Sequence, residues 1–223
     1  YGRKKKIAKY YPEPKGDTII EPFAGAAAYS LHKDNWKKNV ILVEKNEKIC
    51  EIWDWLINFA TPEDIWNMPE LSVGDKTSNF LHILHAASKR AFDYKTIKVT
   101  KVLAANWSCN RKYIANNLHK IKHWQLIQGD YTKSPDIQAT WFIDPPYRGD
   151  AGTGYGDTGS DSIDYDFLST WAQERQGQII FCEGNDADYL PFEPLLVQST
   201  IAGKKNKEMI YHKDIADMTI DIE

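Results

Sequence analysis

What the chain lacks narrows its chemistry first. Only three of its 223 residues are cysteine, Cys50, Cys109 and Cys182, widely spaced and without C-x-x-C pairing. That argues against a disulfide framework or a thiolate metal knuckle and reads as reduced thiols in a cytoplasmic protein. No apolar run approaches about 18 residues and no export leader is recognisable, so a soluble chain with no membrane partner is expected. No G-x-G-x-x-G appears, which disfavours a dinucleotide pyrophosphate, and no Walker lysine marks a triphosphate site. His82 and His85 share a helical face without a cysteine or acid cluster nearby, so packed or surface histidines are expected there rather than metal ligands. There is no internal repeat, and no obligate protein partner is evident.

The net charge of −3 hides an asymmetry. Between Ser88 and His123, Lys89, Arg90, Lys95, Lys98, Lys101, Arg111, Lys112, Lys120 and Lys122 face the single acid Asp93, and from Asp130 to Glu193 the balance reverses. Such a segment can present a phosphate-holding surface that whole-chain charge conceals. Lys89, Arg90, Lys95, Arg111 and Lys112, interleaved with Phe92, Tyr94, Trp107 and Tyr113, are the candidate nucleic-acid contacts. The alternative for this stretch is a solvated helical face over an aromatic core.

Periodicity supplies the organisation. Residues 17–23, 40–44, 124–128, 139–143 and 178–182 read as strands, and 47–60, 61 onward and 167–174 as helices. Residues 24–28 read as a small-residue turn opening a helix through about His32, and 195–201 with 208–212 as a hairpin. This alternation predicts a doubly wound α/β sheet with a C-terminal antiparallel hairpin. Residues 1–73 and 124–223 are expected to form the catalytic domain, and 74–123 a small, mostly helical, basic insertion.

Chemistry concentrates at predicted strand ends. Trp141-Phe142-Ile143 suggests a buried strand, and Asp144-Pro145-Pro146-Tyr147 follows at its carboxyl end, where open α/β sheets bind ligands. The prolines have no N–H, so this segment offers acceptors, the Asp144 carboxylate and the Pro145 carbonyl, to an amino group with two hydrogens to give. Tyr147 adds a face on which a planar base can stack. Phe23-Ala24-Gly25-Ala26-Ala27 gives the first strand–helix turn small residues that let backbone approach a ligand. Glu44, ending the second strand, suits two ribose hydroxyls. Asp130 is a third acid at a strand end.

These motifs resemble those of the Dam-type, alpha-group DNA adenine N6-methyltransferases. Tyr1-Gly2-Arg3-Lys4, followed by Ala8-Lys9-Tyr10-Tyr11-Pro12, resembles the family's amino-terminal Gly-Lys motif, whose lysine neighbours cofactor and target. Glu21-Pro22-Phe23-Ala24-Gly25-Ala26-Ala27 resembles its Glu-Pro-Phe-x-Gly-x-Gly loop, with Ala27 standing where the family has its second glycine. Glu44-Lys45-Asn46, Gly129-Asp130-Tyr131, Asp144 to Tyr147 and Lys207-Glu208-Met209-Ile210 resemble the later motifs in family order. Since Tyr1 falls inside the first motif, further residues are expected to precede it. The family's Arg-x-Asn and Asn-x-Pro-x-Gly recognition runs are absent, so no target sequence carries over.

The resemblance implies a class I methyltransferase (Rossmann-like) fold that binds S-adenosylmethionine and a flipped adenine of duplex DNA in a bacterial or phage-infected cell. It assigns Tyr1, Lys4, Glu21, Pro22, Phe23, Ala24, Gly25, Ala26, Ala27, Glu44, Lys45, Asp130, Tyr131 and Asp144 to the cofactor. Catalysis falls to Asp144, Pro145, Pro146 and Tyr147. Arg148 and Tyr155, at the start and middle of a glycine-rich loop, are expected to close on the DNA. An RNA adenine methyltransferase, or a catalytically weak nucleic-acid-binding module of the same fold, would use the same frame.

Overall fold

The apolar runs read as strands are strands. The computed structural model describes residues 4–79, 81–82, 96–149, 159–184, 187–199 and 205–214. In chain order its strands are β1 (Thr18–Glu21), β2 (Asn39–Glu44), β3 (Lys76–Thr77), β4 (Ile97–Lys98), β5 (Gln125–Gln128), β6 (Ala139–Ile143), β7 (Gly177–Glu183), β8 (Glu193–Ser199) and β9 (Lys205–Lys213). The α-helices are α1 (Glu47–Asp54), α2 (Pro62–Asn67), α3 (Lys101–Asn117) and α4 (Tyr165–Gln173).

Seven strands form one mixed, mostly parallel sheet in the order β5-β2-β1-β6-β7-β9-β8. β5, β2, β1, β6 and β7 pair in parallel, and β9 lies antiparallel between β7 and β8, which is the expected C-terminal hairpin. The chain progresses outward from β1 to β5 and then crosses back to β6 on β1's other side. Strand order therefore reverses between β1 and β6, and a doubly wound sheet leaves a crevice at the carboxyl ends of such a pair.

Alternation along each strand divides the core between two faces. Ile19, Val40, Leu42, Phe142 and Ile180 share a buried cluster with Ile49 and Trp53 of α1, while Ile20, Ile41, Val43, Trp141, Ile143 and Phe181 share another with Leu168 and Trp171 of α4. Covering both faces explains why β6 and β7 read as unbroken apolar runs. Each such side chain contributes about 1.5–3 kcal/mol on full burial.

The segment after β1 departs from expectation, since residues 24–32 form successive turns and no helix. Competing hydrogen bonds account for this. The Ser30 N–H donates to the Glu21 carboxylate at 2.8 Å and the Asn35 side chain takes the Tyr29 carbonyl at 2.9 Å, removing groups a helical ladder needs. Ala27 also sits at φ 46°, outside helical space.

Residues 47–60 begin as α1, capped by Asn46, whose side chain accepts from the Lys48 and Ile49 N–H groups, and continue as a π-helical turn over Trp55–Phe59. Lys122 closes that turn by donating to the carbonyls of Leu56 at 2.9 Å and Ala60 at 2.6 Å. α2 starts on a reciprocal Thr61–Asp64 capping box with Pro62 in the first turn. The 74–123 segment is divided. β3 and β4 form a separate antiparallel pair, whereas Ala115, Leu118 and Ile121 belong to the same buried cluster as Ile19 and Phe142. Among the described residues no helix is long and apolar enough to cross a membrane.

Candidate active site

The carboxyl ends of β1, β2, β5 and β6 converge on one cleft enclosing about 930 Å³, open mouth included. Its walls are the whole 21–28 loop, Glu44 and Lys45 after β2, Asp130 and Tyr131 after β5, Asp144 after β6, and Lys4 from the amino-terminal turn. All the expected cofactor residues from Lys4 onward thus line a single cavity; Tyr1 lies outside the described residues.

One end of the cleft is built on backbone. The Glu44 carboxylate accepts from the Gly25 N–H at 2.9 Å and from the Asn46 N–H at 2.8 Å, so its two oxygens are fixed in direction. Each retains acceptor capacity for a hydroxyl. Burial raises the Glu44 pKa, opposed by those backbone donors. Gly25, at φ 46°, is held from the other side by the Trp53 indole, which donates to its carbonyl at 2.9 Å. Phe23 and Tyr131 stack at 5.3 Å between centroids and give this end an aromatic wall. Asp130 caps the short turn Tyr131–Lys133 by accepting from the Thr132 N–H at 3.2 Å, and its other oxygen stands 3.9 Å from the Lys45 ammonium. Glu21 is 2 % exposed, and burial pushes its pKa up to about 8.

The other end is built from side chains brought together across the chain. The Lys4 ammonium lies 3.2 Å from Asp144 Oδ1 and 2.5 Å from Glu208 Oε1. It also contacts the Tyr147 hydroxyl and stands 4.4 Å from the centroid of that ring. Glu208 Oε1 further accepts from the hydroxyls of Tyr11 at 2.5 Å and Tyr147 at 2.7 Å. Burial pushes Asp144 up to about 6, opposed by the Lys4 charge and reinforced by Glu208 and Glu183. Burial pulls in the opposite direction on Lys4, but the negative groups around it prevail and its pKa is raised, so it stays an ammonium. Arranged this way, Asp144 is an acceptor at a cleft wall, its charge steadied by one fixed cation.

The Tyr147 ring has a second support. A Cβ on Gly184 would come within 2.9 Å of Tyr147 Cδ2, so glycine is what allows β7's end to approach the ring. The Pro146 carbonyl accepts from Tyr165 at 2.5 Å, which ties the proline turn to α4.

Sequence reasoning places Tyr11 and Glu208 inside motifs but gives neither a role at the site. Glu208 stands in the motif that resembles the family's late strand, and an acid beside Met209, Ile210 and Tyr211 is a visible irregularity in an apolar run. Tyr147 was valued for its ring alone, whereas its hydroxyl is held as well.

The nucleic-acid candidates are less concentrated. Lys89, Arg90, Lys95 and Tyr155 lie outside the described residues, as do Phe92, Tyr94 and His85. Arg111 donates to the Met68 carbonyl and pairs with Glu70, which commits it to holding the 68–70 segment against α3. Trp107, expected beside bases, is fully buried with its indole N–H on the Pro69 carbonyl at 3.0 Å, because α3 packs on α2 through this face. Lys112 is exposed. Arg148 lies next to Tyr147 and pairs with Asp188 at 2.9 Å. His82 is buried, bonded to Thr77 at 2.9 Å and set edge-on to Trp107, as a packed histidine would be. Among the described residues no group of three or more His, Cys, Asp or Glu could hold a metal ion.

Comparison with protein-family models gives no match, and comparison with curated proteins gives none either. The functional reading therefore rests on residues and geometry.

Proposed function

We propose that the protein transfers a methyl group from S-adenosylmethionine to the exocyclic N6 amino group of an adenine flipped out of duplex DNA. The observation carrying this reading is that one cleft, at the reversal of strand order, joins the Glu44-anchored loop to Asp144 and Pro146 of the Asp144-Pro145-Pro146-Tyr147 turn. The order of the sheet, with β9 antiparallel between β7 and β8, supports the finer assignment to a class I methyltransferase sheet.

The residues present fit the cofactor. Glu44 offers two directed acceptors for ribose hydroxyls, Asp130 an acceptor near an adenine edge, and the 21–28 loop a small-residue surface for the methionine moiety. When bound, S-adenosylmethionine supplies a methyl group activated by its sulfonium.

The chain's own contribution is acceptance and positioning. A hydrogen bond from the adenine amine to Asp144 favours the pyramidal geometry in which the nitrogen lone pair is available. The Pro145 carbonyl is the second acceptor in this reading. Tyr147 offsets stacking lost when the base leaves the duplex. Holding two reactants in line supplies much of the rate in such a transfer. Lys4 keeps Asp144 charged at neutral pH without occupying the whole of its carboxylate.

The decisive experiment is labelled methyl transfer to duplex DNA and, separately, to RNA, followed by nucleoside analysis. N6-methyl-2′-deoxyadenosine from the DNA, with no methylated nucleoside from the RNA, is expected. Methylated RNA alone would move the substrate to the alternative class. N4-methylcytosine would refute the base assignment, and absence of transfer together with nucleic-acid binding would leave a binding module.

A further inference from the structure

We propose that Glu208 is a positioning residue for the Asp144-Pro145-Pro146-Tyr147 centre, gathering the Lys4 ammonium and the Tyr147 and Tyr11 hydroxyls on one carboxylate oxygen. This rests on the methyltransfer reading of the site. Glu208 comes from β9, more than sixty residues beyond the turn it serves, and is no part of the cleft wall. Its Oε1 is 2.5 Å from Lys4, 2.5 Å from Tyr11 and 2.7 Å from Tyr147, while its side chain is only 11 % exposed. Three donors converging on one buried oxygen fix three directions at once. The ammonium is held between Glu208 and Asp144, and the held hydroxyl keeps the Tyr147 side chain from swinging about its Cα–Cβ bond. Gly184 leaves room for the ring on its other flank. Asp144 meets the amine, and Glu208 acts through Lys4 and Tyr147.

The charge pattern gives this role a distinct signature. Asp144 is faced by Lys4 from the amino-terminal turn, by Glu208 from β9 and by Glu183 from β7; the buried Cys182 thiol and Glu21 from β1 are also close enough to feel its charge. Neutralising Glu208 removes one negative neighbour, so protonation of Asp144 moves to lower pH. A residue that merely packed β9 would not move that titration.

Three measurements on the whole chain test this. Glu208→Ala should lower the single-turnover methylation rate at least tenfold while changing S-adenosylmethionine affinity less than twofold. Glu208→Gln keeps an acceptor for the hydroxyls and should recover most of the rate, with the acid limb of its pH profile displaced downward. Independently of activity, acylation of Lys4 read by peptide mass spectrometry should run at least tenfold faster in Glu208→Gln than in the parent, with exposed Lys45 and Lys101 as internal references. Parent-like transfer by Glu208→Ala, or an acid limb that stays put in Glu208→Gln, overturns the proposal. If the parent itself transfers no methyl group, the functional reading fails, and the labelling arm still decides whether Glu208 holds Lys4. Unchanged labelling refutes the clamp.

Discussion

The two ends of the cleft are made differently. The loop end is a local construction, in which Glu44, Gly25 and Asn46 lie within about one strand and turn of each other and are joined through backbone N–H groups. The reactive end draws Lys4, Tyr11, Asp144, Tyr147 and Glu208 from opposite extremes of the chain and joins them side chain to side chain. Backbone-built sites tolerate side-chain loss around them but fail when the anchoring acceptor goes. Side-chain clusters fail member by member. The loop end should therefore govern binding and the reactive end rate, and substitutions can separate the two.

The largest separation is expected from Asp144→Ala. It deletes the acceptor proposed for the nucleophilic amine yet leaves the Glu44 anchor intact. Single-turnover methylation should fall on the order of a hundredfold or more, about 3 kcal/mol of transition-state stabilisation. Calorimetry should show S-adenosylmethionine still bound. A parent-like rate would remove this turn from the chemistry and erase the contrast between the two ends.

Glu44→Ala is the converse. It removes a charged acceptor and also frees the Gly25 and Asn46 N–H groups, so cofactor affinity should drop by roughly 1.5–3 kcal/mol, on the order of ten- to a hundredfold. Glu44→Gln should do little better, because the amide nitrogen would face one of two backbone donors. Calorimetric titration reading equal affinity for parent and Glu44→Ala would detach Glu44 from the ligand and leave it a purely structural clasp.

That contrast also explains what was legible from sequence. Strand ends were legible because apolar runs such as 139–143 end abruptly in acids and prolines, and Glu44, Asp130 and Asp144 all fell on one cleft as a result. The helix expected after β1 was not legible as turns, since the pull of Glu21 on Ser30 and of Asn35 on Tyr29 depends on contacts a periodicity count never sees. Trp107 misled for a related reason. Its spacing with lysines and arginines matches either a wet face or a core, and only packing of α3 on α2 distinguishes them. Glu208 needed the pairing of β9 with β7 before its neighbours existed at all.

A third test sharpens the comparison through pH, because the loop end carries an acid buried without a cation. Glu21 has an ordinary value of 4.5 when unfolded and about 8 when folded, raised by burial. The native state therefore binds more protons than the unfolded chain across that window. Stability from this group is full below about 4.5, declines as pH rises toward 8 and is lost above it, at up to about 1.4 kcal/mol per unit. Asp144 adds the same sign only between 3.8 and about 6. Between pH 6.5 and 8 the parent slope also carries His32 and His82, which burial holds below their ordinary value, and Glu44 and Glu183, which burial holds above theirs, so the Glu21 contribution is the difference between parent and Glu21→Gln in urea unfolding. Glu21→Gln still accepts from Ser30 and should flatten the slope in that window; slopes that run parallel to the parent's would show Glu21 to be ionised in the fold.

The smallest expected effect is the most local, at Ala27. Its φ of 46° lies in the left-handed region, and at 1 % exposure its methyl is packed as well. In relaxed backbone, replacing a buried alanine by glycine loses about 0.8 kcal/mol of methyl burial and roughly 0.5–1 kcal/mol to the freer unfolded chain. Here the substitution also relieves about 1–2 kcal/mol of left-handed strain. The opposing contributions nearly cancel, so Ala27→Gly should shift the urea midpoint by less than about 0.5 kcal/mol equivalent, with no change of slope. Ala27→Val, branched at Cβ, gains no relief and should lose about 2 kcal/mol or more. Because Ala27 lines the cleft at the loop end, neither change should alter the single-turnover rate once cofactor is saturating. A loss beyond about 1.5 kcal/mol in Ala27→Gly would mean that the loop holds no strain at this position, and that its shape is set by Glu44 and Trp53 alone.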